Sequence, residues 1–482
     1  MTSSTSKAME MKEASALQKR RGGSARAARG LLYLVTAIQG LCNQLLPSSF
    51  KVLESNLGLT PASLGMIAMA QAFFQSIAGP VWASLVDRGM SRKFVLVAGC
   101  MGWGLIAILL GCIGQLHIIL LLRCLNGVAL ASLGPVAQSL VADITEPEQV
   151  GLVFGLLQFS MALGQGICAT VLTSFSEERL SLGSIHLHGW QASFIGVGGL
   201  SILVAVAVVF FMAEFRNEEQ ENESSTSAQG AISEIRKEFT LLFSYFTIPS
   251  FLVILVQGMF GCIPWTAMSF LTMWFQYIGM SNAASGVLIT MQIFASGVGG
   301  IVGGIVGDVL ARSWSPFRGR PLAAQVSILS GLVLISWIFI KVPKTPDSFS
   351  AYAWLNILFG LTATWAGVAC NQVVLLEVVT PNNRARISAL LNCLNGAVAA
   401  VLGGPVVGFL AEMYGYRSPA KGTSISDLSK AERVSNLDAL TTALLQASVP
   451  PWILTLACFS FLYWTYEKDV DKTRKEKAAS TL

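Results

Sequence analysis

Charge is what this sequence has least of. Of its 482 residues 12% are Asp, Glu, Lys or Arg, against 53% hydrophobic. Soluble domains carry about 25% charged residues, so a chain this long has too little charge to cover a water-facing surface. A bilayer removes that requirement, because the outside of the protein then meets hydrocarbon. Histidine is nearly absent: His117, His186 and His188 are too few and too scattered for a metal site. No CxxC pair occurs. The nine cysteines (Cys42, Cys100, Cys112, Cys124, Cys168, Cys262, Cys370, Cys393 and Cys458) all lie in apolar runs and read as small packing residues, not as a disulfide framework or zinc site. There is no GxxxxGK[ST] phosphate loop, which disfavours nucleotide-driven work. No cluster of carboxylate, His and Cys falls at membrane depth, which argues against an enzyme, and no cofactor is implied. The net charge of +5 comes without a basic patch interleaved with aromatics, which argues against nucleic acid as a partner. The first 29 residues are polar, small and basic with no apolar core, so they do not read as a secretory signal. A transit peptide stays open; a cytosolic tail is the expectation.

What is present is a series of apolar runs, each near the roughly 20 residues that a helix needs to cross a bilayer. They predict twelve transmembrane helices near 31–51, 62–86, 94–114, 116–140, 150–173, 191–212, 249–278, 284–311, 321–341, 351–377, 384–411 and 438–466. The fold class expected is an all-α membrane protein. Lys and Arg set its orientation. The side carrying both termini holds 23 of them and the opposite side 8, with Arg123 alone inside a span. Both termini are therefore expected in the cytosol.

The expected organisation is a tail at 1–30, a six-helix bundle at 31–212, a cytosolic linker at 213–248, a second bundle at 249–466 and a tail at 467–482. The linker opens with the polar stretch FRNEEQENESSTSAQG, which should be flexible. It continues as ISEIRKEFTLLF, amphipathic enough to lie on a membrane surface. The sole glycosylation sequon, Asn222-Glu223-Ser224, falls here and is expected to go unused on a cytosolic loop.

The two halves repeat one another. Helix 2 ends with Gly79 and, eight residues on, Asp87, followed by Arg88, Arg92 and Lys93. Helix 8 ends with Gly300 and, again eight residues on, Asp308, followed by Arg312 and Arg320. Helix 4 ends Asp143, Pro147, Gly151; helix 10 ends Glu377, Pro381, Ala385, at one constant offset. Two ordered correspondences indicate an internal duplication. Such duplication is typical of transporters whose site lies between the halves.

These motifs carry a resemblance. Asp87-Arg88-Gly89-x-x-Arg92-Lys93, with Arg123-Cys124-Leu125-Asn126-Gly127 in helix 4, resembles the major facilitator superfamily (MFS). Longer phrases resemble a plant and green-algal branch of it related to Spinster-like transporters: LNGVALASLGPVAQSLVAD (125–143), Ile263-Pro264-Trp265, GGIVGGIVGD (299–308), GRPLAAQVS (319–327), Tyr414-Gly415-Tyr416 and Tyr463-Trp464-Thr465-Tyr466. The resemblance implies two pseudo-symmetric six-helix bundles and alternating access, a mechanism class without a ligand. The function expected is secondary active or facilitative transport of a small solute. An amphiphilic or anionic one such as a lysolipid is the first choice; a non-transporting sensor of the same fold is the alternative. A monomer in the lipid bilayer is expected, with ion or proton coupling open and the membrane, plasma or organellar, undetermined.

The resemblance also assigns roles. Arg123 would take part in substrate binding or coupling; a lone Arg at mid-helix costs about 2.5–3.5 kcal/mol to insert and needs a wet cavity or a partner. A cavity lined by helices 1, 4, 7 and 10 would draw on Asn43, Gln44, Asn126, Gln257, Trp265, Trp365, Asn371 and Gln372, with Asn392 and Asn395 of helix 11 as further candidates. Asp87, Arg88, Arg92 and Asp143, mirrored by Asp308, Arg312, Arg320 and Glu377, would form a cytosolic gate of ion pairs made in one state and broken in the other. Gly299, Gly303 and Gly307 recur every four residues, the spacing of close helix packing. Two departures stand out. The antiporter Gly-Pro of helix 5 is replaced by Leu163-Gly164-Gln165-Gly166, and the acids that Spinster-like relatives place in mid-helix 1 are replaced by Cys42-Asn43-Gln44, with Glu54 near the outer end of that helix as a substitute.

Overall fold

A computed structural model gives the arrangement. It describes residues 2–87, 89–146, 149–182, 185–212, 240, 245–380, 383–423 and 425–480, with no side chains before Ser24-Ala25 or after Lys475. Most of the 213–248 linker, with its sequon at Asn222, therefore lies outside the described residues, as do Pro147, Pro381 and Arg88.

Twelve helices follow one another: α1 (Thr2–Leu57), α2 (Pro61–Val86), α3 (Arg92–Cys112), α4 (Leu116–Val141), α5 (Val150–Phe175), α6 (Gly189–Phe211), α7 (Pro249–Ile278), α8 (Asn282–Ser313), α9 (Gly319–Lys341), α10 (Pro346–Val378), α11 (Arg386–Met413) and α12 (Lys430–Ser480). The eleven from α2 to α12 are long and apolar enough to cross a membrane by length and composition. The apolar stretch of α1 from Leu31 onward supplies the twelfth. One short antiparallel ribbon, β1 (Arg179–Leu182) paired with β2 (Ile185–His188), joins α5 to α6.

Helix ends are set by local chemistry. Ser91 and Ser281 accept from the backbone N–H groups of Phe94 (3.3 Å) and Ala284 (3.1 Å), opening α3 and α8. Gly279 closes α7 at φ +103°, a conformation that costs a Cβ-bearing residue roughly 1–2 kcal/mol. Two ends differ from expectation. The backbone of α1 starts within the segment read as a tail, and that of α12 runs on to Ser480. Ala, Lys, Glu and Gln are good helix formers, and no proline intervenes before Pro47 or after Pro451 to stop them. Several spans are irregular inside: α4 turns at Ala131-Ser132, α7 tightens at Met268–Phe270 after Pro264, and α5 and α10 contain wide turns at Cys168–Leu172 and Gly367–Asn371.

Packing repeats the duplication. In the first half α1 packs on α5 and α6, α2 on α4, and α3 on α6; in the second α7 packs on α11 and α12, α8 on α10, and α9 on α12. Every pair of the first half thus has its counterpart six helices on. Small residues allow the closest approaches: a Cβ on Gly299 would stand 2.4 Å from the carbonyl of Gly360, so α8 and α10 touch backbone to backbone there. Gly303 faces Trp365 and Gly307 faces Ala369 on the same seam. Large apolar side chains cover the outside, among them Leu203, Phe210, Ile301 and Trp354, each at least two-thirds exposed. In water such a belt would be an aggregation surface; in lipid it is the ordinary exterior.

The two halves meet chiefly along α2 against α11 and α5 against α8, with α1 also touching α7. For clarity, the end of the bundle carrying both termini is called the terminal end and the opposite one the distal end.

Candidate functional site

Arg123 lies within α4, well away from either end of that helix, and is buried at 4% exposure. Its Nε has no hydrogen-bond partner among the described residues. Its surroundings are the interior of the first half, where the Cys42 thiol of α1 lies within electrostatic range. A buried guanidinium without a carboxylate is costly to maintain, and buried polar groups are ordinarily satisfied. The arrangement leaves a fixed positive charge in an apolar setting with binding capacity to spare.

Unsatisfied amides accompany it. In the first half Asn43 Oδ1 accepts from Gln71 Nε2 at 3.3 Å, and Gln71 Oε1 is left without a partner. Asn126 donates to the Trp103 carbonyl at 3.4 Å and its Oδ1 is unpartnered. In the second half Gln292, Asn356, Asn371 and Asn395 each keep an unpartnered side-chain oxygen. Buried acceptors with no donor, spread over α2, α4, α8, α10 and α11, are sites where water or a solute donor would gain a bond.

The sequence candidates divide on this basis. Arg123, Asn126 and Asn371 keep free capacity. Gln372 is exposed and Gln44 half-buried. Three others are absorbed by the fold. Gln257, 2% exposed, donates to the Ile254 carbonyl of its own helix at 3.0 Å. Trp265 packs in an aromatic cluster with Phe359 (5.6 Å) and Trp452 (6.1 Å). Trp365 donates to the Leu361 carbonyl at 2.7 Å and fills the gap at Gly303. Asn126 points at α3 through Trp103. Of the two further candidates, Asn392 is exposed, and Asn395 packs against Gly258 of α7.

At the terminal end the charged candidates pair within each half. Arg92 of α3 binds Asp143 of α4. Arg320 of α9 binds Asp308 of α8 at 2.9 Å and also donates to the Ala369 carbonyl at 3.3 Å. Glu377, the repeat counterpart of Asp143, accepts from the Tyr466 hydroxyl at 2.7 Å instead of meeting an arginine. Arg312 is exposed, and the side chain of Asp87 lies with Arg88 outside the described residues.

At the distal end, bonds cross between the halves. The Glu54 carboxyl is hydrogen-bonded to Tyr277 (2.8 Å) and Tyr416 (2.6 Å). The Ala62 amide donates to Glu412 at 3.0 Å, and the Gly422 amide donates to the Ser55 carbonyl at 2.7 Å. Nearer the middle, Thr290 of α8 donates to the Gly166 carbonyl of α5 at 3.1 Å. Beside that contact an apolar cleft of about 430 Å³ opens between α8 and α10, lined among others by Thr290, Met291, Phe294 and Leu361. Sequence reasoning missed Gln71, Gln292, Asn356 and the cleft. The amides carried a usable signal, an uncharged polar residue within an apolar run; the cleft carried none.

Comparison with known proteins places this arrangement. A family model described as the Major Facilitator Superfamily matches residues 32–404. No curated protein matches the chain in sequence. Among solved structures, a bacterial homolog to the human lysosomal transporter Spinster, in an inward-facing and occupied conformation, superposes with a TM-score of 0.73. It is 15% identical, with 92% of this chain and 97% of that chain covered. The nucleoside transporter NupG superposes at 0.67 with 13% identity, covering 91% and 99%. A D-xylose-proton symporter does so at 0.62 with 12% identity, covering 89% and 99%.

Proposed function

The chain belongs to the Major Facilitator Superfamily, and from that premise we propose that it carries a small amphiphilic anion across a membrane by alternating access. Its domains in this reading are the two bundles at 31–212 and 249–466, joined by the 213–248 linker, with both termini cytosolic and the chain acting as a monomer.

The observation that carries the solute class is Arg123: a buried guanidinium whose Nε has no partner among the described residues. Such a charge is stabilised when an anion arrives, because the bond forms in a low-dielectric site where it is strongest. Asn43 and Gln71 of the same half offer neutral hydrogen bonds, Gln44, Asn371 and Gln372 are further candidates along the path, and an apolar portion of the solute suits spans rich in Leu, Ile and Phe.

Alternating access draws its support from an asymmetry. Hydrogen bonds join the halves at the distal end, whereas the terminal-end ion pairs Arg92–Asp143 and Arg320–Asp308 stay within a half. In this reading the conformer is closed distally, and the terminal-end charges regroup across the halves when it reverses. The Glu377–Tyr466 bond and Arg312 complete the second half's share of that gate.

Ligand stabilisation tests the solute class. Purified protein is melted with a lysolipid, a dicarboxylate and a sugar, and ligand at about 100 times its Kd adds about 2.7 kcal/mol to stability. The lysolipid is expected to raise the melting temperature of the wild type and not of Arg123→Ala. A rise with the sugar alone, unchanged in Arg123→Ala, would overturn the anion assignment. A chain that binds but moves nothing would be the sensor.

A further inference from the structure

Three side chains at the distal end close a ring through four oxygens. Tyr277 Oη lies 2.8 Å from Glu54 Oε2, Tyr416 Oη lies 2.6 Å from Glu54 Oε1, and the two hydroxyl oxygens lie 2.6 Å from each other. Each edge is a normal to short O–H···O distance, so each edge holds a proton; without one, lone pairs would face each other across 2.6 Å. Two tyrosine hydroxyls supply two protons, one apiece. Three edges need three.

We infer that Glu54 is the chain's proton-binding site, carrying the third proton when the distal end is closed and losing it when that end opens. With a protonated carboxyl every member donates once and accepts once, around a ring in which Glu54 gives to one tyrosine and receives from the other. With a carboxylate, both tyrosines turn toward Glu54 and the Tyr277–Tyr416 edge is left empty.

The setting agrees. Glu54 and Tyr277 are fully buried and Tyr416 is 5% exposed. The charged groups around them are engaged or sit beyond the ring. Lys51, one turn back on α1, lies within electrostatic range of Glu54 but has its own carboxylate partner in Glu177 at 2.7 Å. Arg417 follows Tyr416, and its backbone is held by Asn436 of α12 at 2.8 Å in both directions. Arg433 of α12 and Lys421 flank Gly279 and Gly58. Glu412 of α11 caps Ala62. None of these is hydrogen-bonded to the Glu54 carboxyl.

The ring also joins the halves, because Glu54 belongs to α1 while Tyr277 ends α7 and Tyr416 follows α11. Separating the halves dissolves it and exposes Glu54 to water, where a glutamate titrates near ~4.3 and is ionised at neutral pH. The distally closed state therefore holds one proton more than the open one. Acid favours closure and alkali favours opening, with the proton released to the distal side. This rests on the alternating-access reading for its consequence, though not for the protonation itself.

Infrared spectroscopy of the full chain in lipid nanodiscs at neutral pH tests it. The wild-type minus Glu54→Gln difference spectrum is expected to show the C=O stretch of a protonated carboxyl, which disappears as the pH is raised. A difference spectrum with carboxylate bands alone would overturn the assignment while leaving transport untouched. Should Glu54→Gln fail to fold, Tyr416→Phe serves. It leaves a single edge that one phenol proton satisfies, so the protonated-carboxyl band is expected to fall; an unchanged band would equally overturn the ring.

Discussion

Arg123→Leu separates a working arginine from a structural one. On insertion scales an arginine at the helix centre costs about 2.5–3.5 kcal/mol and a leucine returns about 0.3–0.6 kcal/mol. The swing is therefore roughly 3–4 kcal/mol in favour of the variant, provided the guanidinium contributes little in return. The unpartnered Nε and the 4% exposure say that it contributes little. The leucine fills somewhat less volume, and incomplete repacking removes about 1 kcal/mol of the gain. Arg123→Leu should then unfold a few degrees above the wild type in detergent, followed by size-exclusion chromatography after heating, and should have lost solute binding. A charge kept at such a cost is kept for function. A variant that melts below the wild type, with Arg123→Lys restoring its stability, would refute this reasoning and make Arg123 a packing residue.

Other substitutions follow the same geometry. Gly286 of α8 lies against α5, where an added Cβ would stand 1.9 Å from the Ala169 carbonyl; Gly286→Val should insert normally and hold the distal end open, read as increased labelling of a cysteine at Ser55, while Gly79→Ala, in open space, should change nothing. Arg320→Ala should cost less than about 1 kcal/mol, because the Asp308 pair is partly exposed, yet should alter the rate of any flux; the exchange Arg320→Asp with Asp308→Arg recovering that rate would assign it to the gate. Trp452 is fully buried, stacked at 5.8 Å on Phe359 and bonded to the Gly261 carbonyl. Trp452→Ala should destabilise the second half by about 3–5 kcal/mol, seen as loss of monodisperse protein.

Much of the architecture was legible because a bilayer imposes a coarse rule on sequence. Every span must be a long apolar run, so the helices from α2 to α11 stood out, and the paired aspartate and proline motifs exposed the duplication that the packing repeats. Arg123 was legible for the same reason, as a cation set well inside an apolar run. The parts that escaped depend on contacts between distant residues. Glu54 meets Tyr277 and Tyr416 from 223 and 362 positions away, and nothing near Glu54 announces them. The orientation of an amide on its helix is equally silent: Asn126 and Gln257 have the composition of cavity residues, yet one donates to Trp103 and the other to its own helix. Trp265 has the composition of a binding surface and packs as one of three rings with Phe359 and Trp452. The helical backbone of α1 before Leu31 was missed because polarity was taken to end the helix, whereas the backbone stays helical through Gly22, Gly23 and Gly30 and no proline precedes Pro47.

Solute flux tests the central claim most directly. Purified protein in proteoliposomes is supplied with a labelled lysolipid, an organic anion and a sugar, with and without a pH gradient. Saturable uptake of the amphiphilic anion, abolished in Arg123→Ala and dependent on the gradient, is the predicted result. Binding of that anion with no flux in either direction, by protein shown to be inserted and folded, would contradict transport and leave a sensor built on a transporter's fold.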